Sequence, residues 1–425
     1  MDTVETLGQE YRPRAIDSLV NNALSTAGVV LIEGPRACGK TMTAMHAARS
    51  YSLLDDPTTS EIARIAPEAV LDGEKPRLLD EWQTAPQLWN LVRRRVDGSS
   101  DRGLYLLTGS SVPNDDDLRH TGAGRLLRIR EHTMTWLEKR GAIGGGVSLA
   151  GLFDGWTPGH DPSTTMSYSQ VVAELSRPGF PGLVGLTEER GQWMMRAYID
   201  EVARSDVPRL ADVRHDPAVI SRLIAAVARS AASEVSYATL AADVREVAPR
   251  ITAESVSGYL SVLKRLFVVE AQEAWTPSLR SRARLRTSAK LHLADPGLAA
   301  AALGVGAEGL ASEPATVGML FESAVVHDLR VLAGLIDGQV RHYRDSNGHE
   351  IDAVVCLPDG RWGAVETKLG GAQAPTGAMS LGNAVNQIAP EVRERLAFKL
   401  VVTGTGQTFT TSEGTVCCPL AALRP

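Results

Sequence analysis

Apolar and polar positions follow two rhythms along this chain. Residues 28–33 (GVVLIE) form a short unbroken apolar run, the length of a buried strand. It opens into GPRACGKT (34–41) and then MTAMHAARSY, whose apolar positions recur with helical period. PRLLDEWQ (76–83) and GLYLLTGSS (103–111) are two more buried-strand runs, one ending in an acidic pair and the other in hydroxyl residues. A further strand is expected over 126–129. Buried strands alternating with helices predict an α/β domain around a parallel sheet.

Past residue 158 the rhythm changes. GHDPSTTMS (159–167) marks a boundary, and MMRAYIDEVARSD and 217–232 carry amphipathic helical patterns. SYATLAADV predicts a short helix, 248–250 a turn, and ITAESVSGYLSVLKRL a second helix with Thr252 as its N-cap. The strand FVVEAQEAW follows. Two helices joined by a tight turn and followed by strands predict a winged helix-turn-helix over about 217–295. Near the C-terminus a long helix carrying Glu322 precedes three strand runs, QVRHYRDS, EIDAVVCL and RWGAVETK. A Gly/Ala/Pro-rich stretch, a weak helix (SLGNAVNQI) and the strands FKLVVTG and TVCCPL complete the chain. The expected modules are therefore 1–158, 159–308 and 309–425.

The spacing G-x-x-x-x-G-K-T between a strand and a helix predicts a phosphate cradle. Backbone N–H groups from Gly34, Pro35, Arg36, Ala37, Cys38 and Gly39 and the helix N-terminus would surround a β-phosphate, proline adding shape rather than a donor. Lys40 would reach the β- and γ-phosphates and Thr41 would offer its hydroxyl to Mg²⁺. Asp80, at the end of its strand, would hold the Mg²⁺ shell, and Glu81 would orient the attacking water. A strand at 103–111 lying between these two would aim Thr108, Ser110 or Ser111 at the γ-phosphate. Arg125 follows a flexible Gly-Ala-Gly, and three readings stand open: transition-state charge stabilisation in cis, the same from a neighbouring subunit, or a surface residue.

Composition narrows the setting. Of 425 residues, 44% are hydrophobic and 22% charged, the balance of a soluble globular protein with several domains. The net charge of −6 excludes a uniformly basic nucleic-acid binder, so any such contact must be local. The four cysteines have no ligand or disulfide spacing, and no apolar run reaches bilayer length, so a cytoplasmic protein with no membrane partner is expected. One local patch exists: Arg280, Arg282, Arg284 and Arg286 alternate and on a strand would share one face, suited to a phosphate backbone. A docking surface for a protein partner, or a solvated hairpin, would have the same pattern.

EGPRACGKT, LDGEKPRLLDEWQ, LLTGSS, GAGR and SLAGLFDG together resemble a family of prokaryotic AAA-type ATPases that carry a C-terminal domain of unknown function. The resemblance spans nearly the whole chain and implies ATP binding by Gly34 to Thr41, a Walker B pair in Asp80 and Glu81, and Arg125 at the family's Gly-Arg. The C-terminal order of helix, three strands, helix and strand resembles restriction-endonuclease-like folds. Asp352, Glu366 and Lys368, with Glu322 on the helix, resemble the PD-(D/E)xK signature, except that Ile351 stands where proline is usual. That resemblance implies that Glu322, Asp352 and Glu366 hold Mg²⁺ or Mn²⁺ and that Lys368 positions or deprotonates water. Only seven lysines occur among 44 basic residues, which draws attention to each. The expected function is an ATPase controlling a Mg²⁺-dependent C-terminal domain that cuts or binds nucleic acid, DNA above RNA. The alternative is an ATP-driven DNA-binding or partner-docking switch, as a monomer or homo-oligomer, whose nuclease-like domain is silent.

Overall fold

A computed structural model describes residues 11–111, 124–140, 146–163, 166–210, 216–277 and 288–425. The chain divides into two compact units. The first holds residues 1–133, 180–182 and 262–268, and the second holds the remainder. Residues expected to form a connector and a C-terminal module therefore fall mainly in one unit.

The first unit is built on five strands: β1 (Val29–Glu33), β2 (Ser50–Leu53), β3 (Arg77–Asp80), β4 (Tyr105–Gly109) and β5 (Leu126–Arg130). All pair in parallel, in the order β2-β3-β4-β1-β5. Helices α1 (Asp17–Thr26), α2 (Lys40–Ala47), α3 (Pro57–Ile65) and α4 (Leu88–Asp97) accompany them. Both faces of the sheet are covered, which is why the strands read as continuous apolar runs. Val29 and Leu31 pack with Leu79, Leu107 and the α4 residues Trp89, Val92 and Val96. Val30 and Ile32, one residue out of phase, pack on the other side with Leu78, Leu106, Val20 and Leu24 of α1 and Met45 of α2. Val30, Leu31 and Ile32 are fully buried, each contributing about 1.5–3 kcal/mol of hydrophobic stabilisation.

In the second unit, β6 (Val147–Ser148) pairs with the terminal β16 (Leu423–Arg424). The helix Pro217–Arg229 leads to β7 (Ser233–Glu234), the helices Tyr237–Val244 and Ala253–Arg265, and then β8 (Val269–Gln272) and β9 (Lys290–Leu293). These three strands form an antiparallel sheet in the order β7-β9-β8. Thr252 caps its helix, accepting from the Ser255 N–H at 3.1 Å.

The 21-residue helix Pro314–Gly334 precedes β10 (Gln339–Arg344), β11 (Glu350–Cys356) and β12 (Trp362–Lys368), an antiparallel meander. The helix Ala374–Asn386 then returns the chain to β13 (Leu396–Thr403), parallel to β12. β14 (Phe409–Thr410) and β15 (Thr415–Pro419) complete a six-stranded sheet in the order β10-β11-β12-β13-β15-β14. The Gly/Ala/Pro-rich stretch supplies the first turn of Ala374–Asn386, which therefore begins ahead of the expected SLGNAVNQI helix, with Pro375 in that first turn, where a missing N–H has no consequence. Among the described residues no helix is long and apolar enough to cross a membrane.

Candidate functional site

The glycine loop joins β1 to α2 at the C-terminal edge of the parallel sheet, where open α/β sheets place their ligand crevice. The loop turns through left-handed backbone at Ala37 (φ 64°) and Gly39 (φ 121°). At Gly34 a Cβ would lie 2.1 Å from the Glu131 carbonyl, so any side chain there would displace backbone. Beneath the loop, buried Arg14 donates to the Cys38 carbonyl at 2.9 Å, to Glu131 Oε1 at 2.9 Å and to the His132 carbonyl at 2.9 Å. Glu131 also accepts from Thr43 of α2 at 3.0 Å. These partners brace the cradle from behind, and burial pushes the Cys38 thiol up to about 11, which leaves it unreactive.

Lys40 is buried and folds back into its own loop, donating to the carbonyls of Gly34 at 3.1 Å and Pro35 at 2.8 Å. Thr41 Oγ1 lies 2.9 Å and 3.2 Å from the two oxygens of Asp80, which stands 39 positions later in the chain. A hydroxyl and a carboxylate meeting at the sheet edge are a hard-oxygen donor pair that fits Mg²⁺. Burial raises the Asp80 carboxyl to about 6 against the hydrogen bonds from Thr108 and Thr41, so the site favours a cation beside it.

β4 lies between β1 and β3, and of Thr108, Ser110 and Ser111, any of which could have aimed at a γ-phosphate, Thr108 turns inward. It is fully buried, donating to Asp80 at 2.5 Å and accepting from the Glu81 N–H at 3.0 Å. That N–H needs a fixed partner because Glu81 has left-handed backbone (φ 53°, ψ 47°), a geometry that costs about 1–3 kcal/mol in a non-glycine residue. The Glu81 carboxylate accepts from Ser110 Oγ at 2.8 Å and from the Gln83 amide, so both Walker-type carboxylates are oriented by the tip of β4. Arg14, Glu131 and Gln83 are not among the residues expected from sequence. The first two are 117 positions apart and leave no local signal.

Arg125 is not brought to the cradle. Its carbonyl accepts from the Val29 N–H at 3.3 Å, at the N-terminal end of β1, and its side chain pairs with Asp97 at the end of α4. In a parallel sheet that is the edge opposite the glycine loop, one strand length of roughly 15 Å away. In this arrangement the Arg125 side chain does not reach the glycine loop of its own chain.

In the second unit one predicted carboxylate, Glu322, pairs with a residue whose only mark in the sequence is the rarity of lysine, and Asp352 and Glu366 find other partners nearby. Lys290, at the start of β9, is buried, its ammonium 2.8 Å from Glu322 Oε1 and 2.7 Å from Glu350 Oε1. Asp352 accepts from the backbone N–H and hydroxyl of Thr367, both at 2.7 Å. Lys368 donates to Glu366 at 2.6 Å, as two same-face positions on a strand allow. Burial first, and the Asp352 charge second, raise Glu322 to about 8 and Glu366 to about 7. Burial alone would pull Lys290 down, but Glu322, Asp352 and Glu350 together hold it above its ordinary value. Two ammonium groups and two donors from Thr367 thus already serve four carboxyls. Among the described residues no three His, Cys, Asp or Glu side chains converge where they could hold a metal ion. The expected ligand set of Glu322, Asp352 and Glu366 does not fit a divalent cation as arranged, because the three side chains do not converge and one oxygen of each is already taken, by Lys290, Thr367 and Lys368 respectively. Arg280, Arg282, Arg284 and Arg286 lie outside the described residues.

Residues 26–138 match the family model of an AAA domain. Residues 170–309 and 317–423 match two domains of unknown function, DUF8612 and DUF4143. Among solved structures, a Walker-type ATPase of Pyrococcus abyssi is similar at 13% identity, covering 69% of this chain and 99% of that one with a TM-score of 0.40. No curated protein matches the chain. The AAA match and the strand order around the glycine loop support an AAA-type P-loop ATPase domain over residues 26–138.

Proposed function

We propose that the chain binds and hydrolyses ATP with Mg²⁺ and uses that cycle to control a C-terminal nucleic-acid-binding domain that does not cut. The observation that carries the ATPase half is the meeting of Thr41 and Asp80 beside the Lys40 cradle. Lys40 leaves its two loop carbonyls for the β- and γ-phosphates, exchanging neutral acceptors for charged ones, a gain of charge-assisted hydrogen bonding. Thr41 and Asp80 would hold Mg²⁺, which when bound neutralises phosphate charge. Glu81, locked by Ser110, Gln83 and the Thr108 hydroxyl behind it, orients the attacking water toward the γ-phosphate. Arg125 lies away from this cradle; the reading adopted for it is the site of a second copy in a homo-oligomer, with a surface pairing to Asp97 as the alternative.

The helix, three-strand meander, helix and parallel strand of the C-terminal part support a restriction-endonuclease-like fold over 309–425. Helix, strand, two helices and two strands with sheet order β7-β9-β8 support a winged helix within 159–308. The alternating arginines at 280–286 favour nucleic acid, with DNA as the first candidate. The already paired carboxylates favour binding without cleavage.

The test is ATP turnover and DNA retention on the full chain. Lys40→Ala should abolish nucleotide binding, and Glu81→Gln should retain ATP without hydrolysing it. Arg282→Glu with Arg284→Glu should weaken DNA binding and flatten its salt dependence. Full ATP turnover by Glu81→Gln, or DNA affinity unmoved by the arginine reversals at low and moderate salt, would overturn the corresponding half.

A further inference from the structure

Lys290 is unusual in three independent ways. It is one of seven lysines in a chain that otherwise uses arginine. Its ammonium is inserted between a carboxylate from the helix Pro314–Gly334 and one from β11, with its side chain only 4% exposed. It also arrives from outside both of those elements, on β9, which belongs to the separate three-stranded sheet β7-β9-β8. The two sheets are stitched at the same place. Gln272 of β8 donates to the carbonyls of Arg341 at 3.0 Å and Asp352 at 2.9 Å, and Trp275 N–H donates to the His342 carbonyl at 2.6 Å.

Four neighbouring carboxyls, Glu366 buried and Glu322, Glu350 and Asp352 partly so, repel one another when ionised, and a cation among them relieves that repulsion. A divalent ion would supply two charges and demand several oxygens within coordination distance. An ammonium supplies one charge, donates three hydrogen bonds, and is bonded covalently to the chain, so its local concentration never falls. Lys290 uses two of those donors on Glu322 and Glu350, and Lys368 covers Glu366. Thr367 donates twice to one oxygen of Asp352, Oδ2.

We propose that Lys290 is a built-in cation that takes the place of a divalent metal in this cluster, so that the C-terminal domain is metal-free by construction. This rests on reading that domain as nuclease-like. Lys290 thereby also ties the β7-β9-β8 sheet to β11 and to the long helix, and its loss frees Glu322 and Glu350 to turn toward Asp352 and close a metal site that the paired arrangement lacks.

The experiment uses the full chain carrying Asp80→Asn, which removes the carboxylate of the first unit's Mg²⁺ pair. Mn²⁺ is titrated and bound ion is read from loss of the free-ion electron paramagnetic resonance signal, alongside thermal unfolding. Without further change the protein should bind no Mn²⁺ and show no change in melting temperature. Adding Lys290→Met should lower the melting temperature and create one Mn²⁺ site whose filling restores about 5 °C or more. Lys290→Gln keeps an amide donor and serves if the methionine variant does not fold; it too should gain Mn²⁺ binding, while Lys290→Arg should not. Mn²⁺ bound by the parent and lost on Asp352→Asn would overturn the proposal, as would Lys290 variants that fold but bind none. DNA retention on the same proteins reports separately on the nucleic-acid reading, because it depends on the arginines at 280–286 and not on manganese.

Discussion

Asp80 is the residue at which stability and function are most directly opposed. Its carboxyl is buried and pushed up to about 6 from an ordinary value near 4. The folded chain therefore binds that proton more tightly than the unfolded chain does. Stability is untouched below about pH 4, is lost as pH rises from about 4 to 6, and stays at the lower level above. A rise of that size corresponds to about 3 kcal/mol. Asp80→Asn keeps the shape and removes the charge: its carbonyl can accept from Thr108 and its amide can donate to Thr41 Oγ1, the two partners Asp80 has now. Some of the gain is lost because hydrogen bonds to a carboxylate are stronger than those to an amide. The variant should thus be more stable than the parent by about 1–3 kcal/mol at pH 7.5, a rise of about 3–10 °C in the first unit's transition, and equal to it at pH 4. ATP turnover should be lost at the same time. Differential scanning calorimetry at both pH values, without nucleotide and then with Mg²⁺ and ATP, measures this. A destabilised Asp80→Asn protein at pH 7.5, or a stability difference of the same size at pH 4, would refute the claim that burial of this carboxylate opposes folding.

Three further outcomes follow from the same geometry. Thr108→Val removes the hydroxyl that holds Asp80 and the Glu81 N–H; it should destabilise the first unit by about 2–4 kcal/mol and depress kcat more than the ATP KM, while Thr108→Ser stays near the parent. Gly34→Ala should abolish nucleotide binding measured by fluorescent-ATP titration, because its methyl would stand 2.1 Å from the Glu131 carbonyl and must push the loop away. Arg125→Ala and Lys40→Ala should each be inactive alone yet regain turnover when mixed, since one supplies an intact cradle and the other an intact arginine; no recovery on mixing would leave Arg125 a surface partner of Asp97.

The parts of this molecule legible in its sequence are those fixed by short-range chemistry. Strand, glycine loop and helix over 29–47 are readable because Gly34 and Gly39 sit where backbone must approach backbone or turn left-handed, and because a buried strand is a continuous apolar run; the helical pattern expected to run on through Tyr51 instead stops at Ala47, and Ser50–Leu53 is the edge strand β2. The same-face pairing of Glu366 with Lys368 follows from the two-residue period of a strand, and the cap at Thr252 from its hydroxyl reaching three residues ahead. What the tertiary structure alone decided is the company these residues keep. Thr108 turned inward to hold two carboxylate residues, since β4 packs between β1 and β3 and its tip meets the acidic pair. Arg125 went to the far edge because β5 pairs in parallel with β1, and register, not proximity in sequence to GAGR, places it there. Lys290 met Glu322 across 32 positions of chain and Glu350 across a still longer stretch. Attraction between opposite charges has no preferred sequence spacing, so a buried ammonium among carboxylates becomes visible only when two sheets and a helix have folded around it.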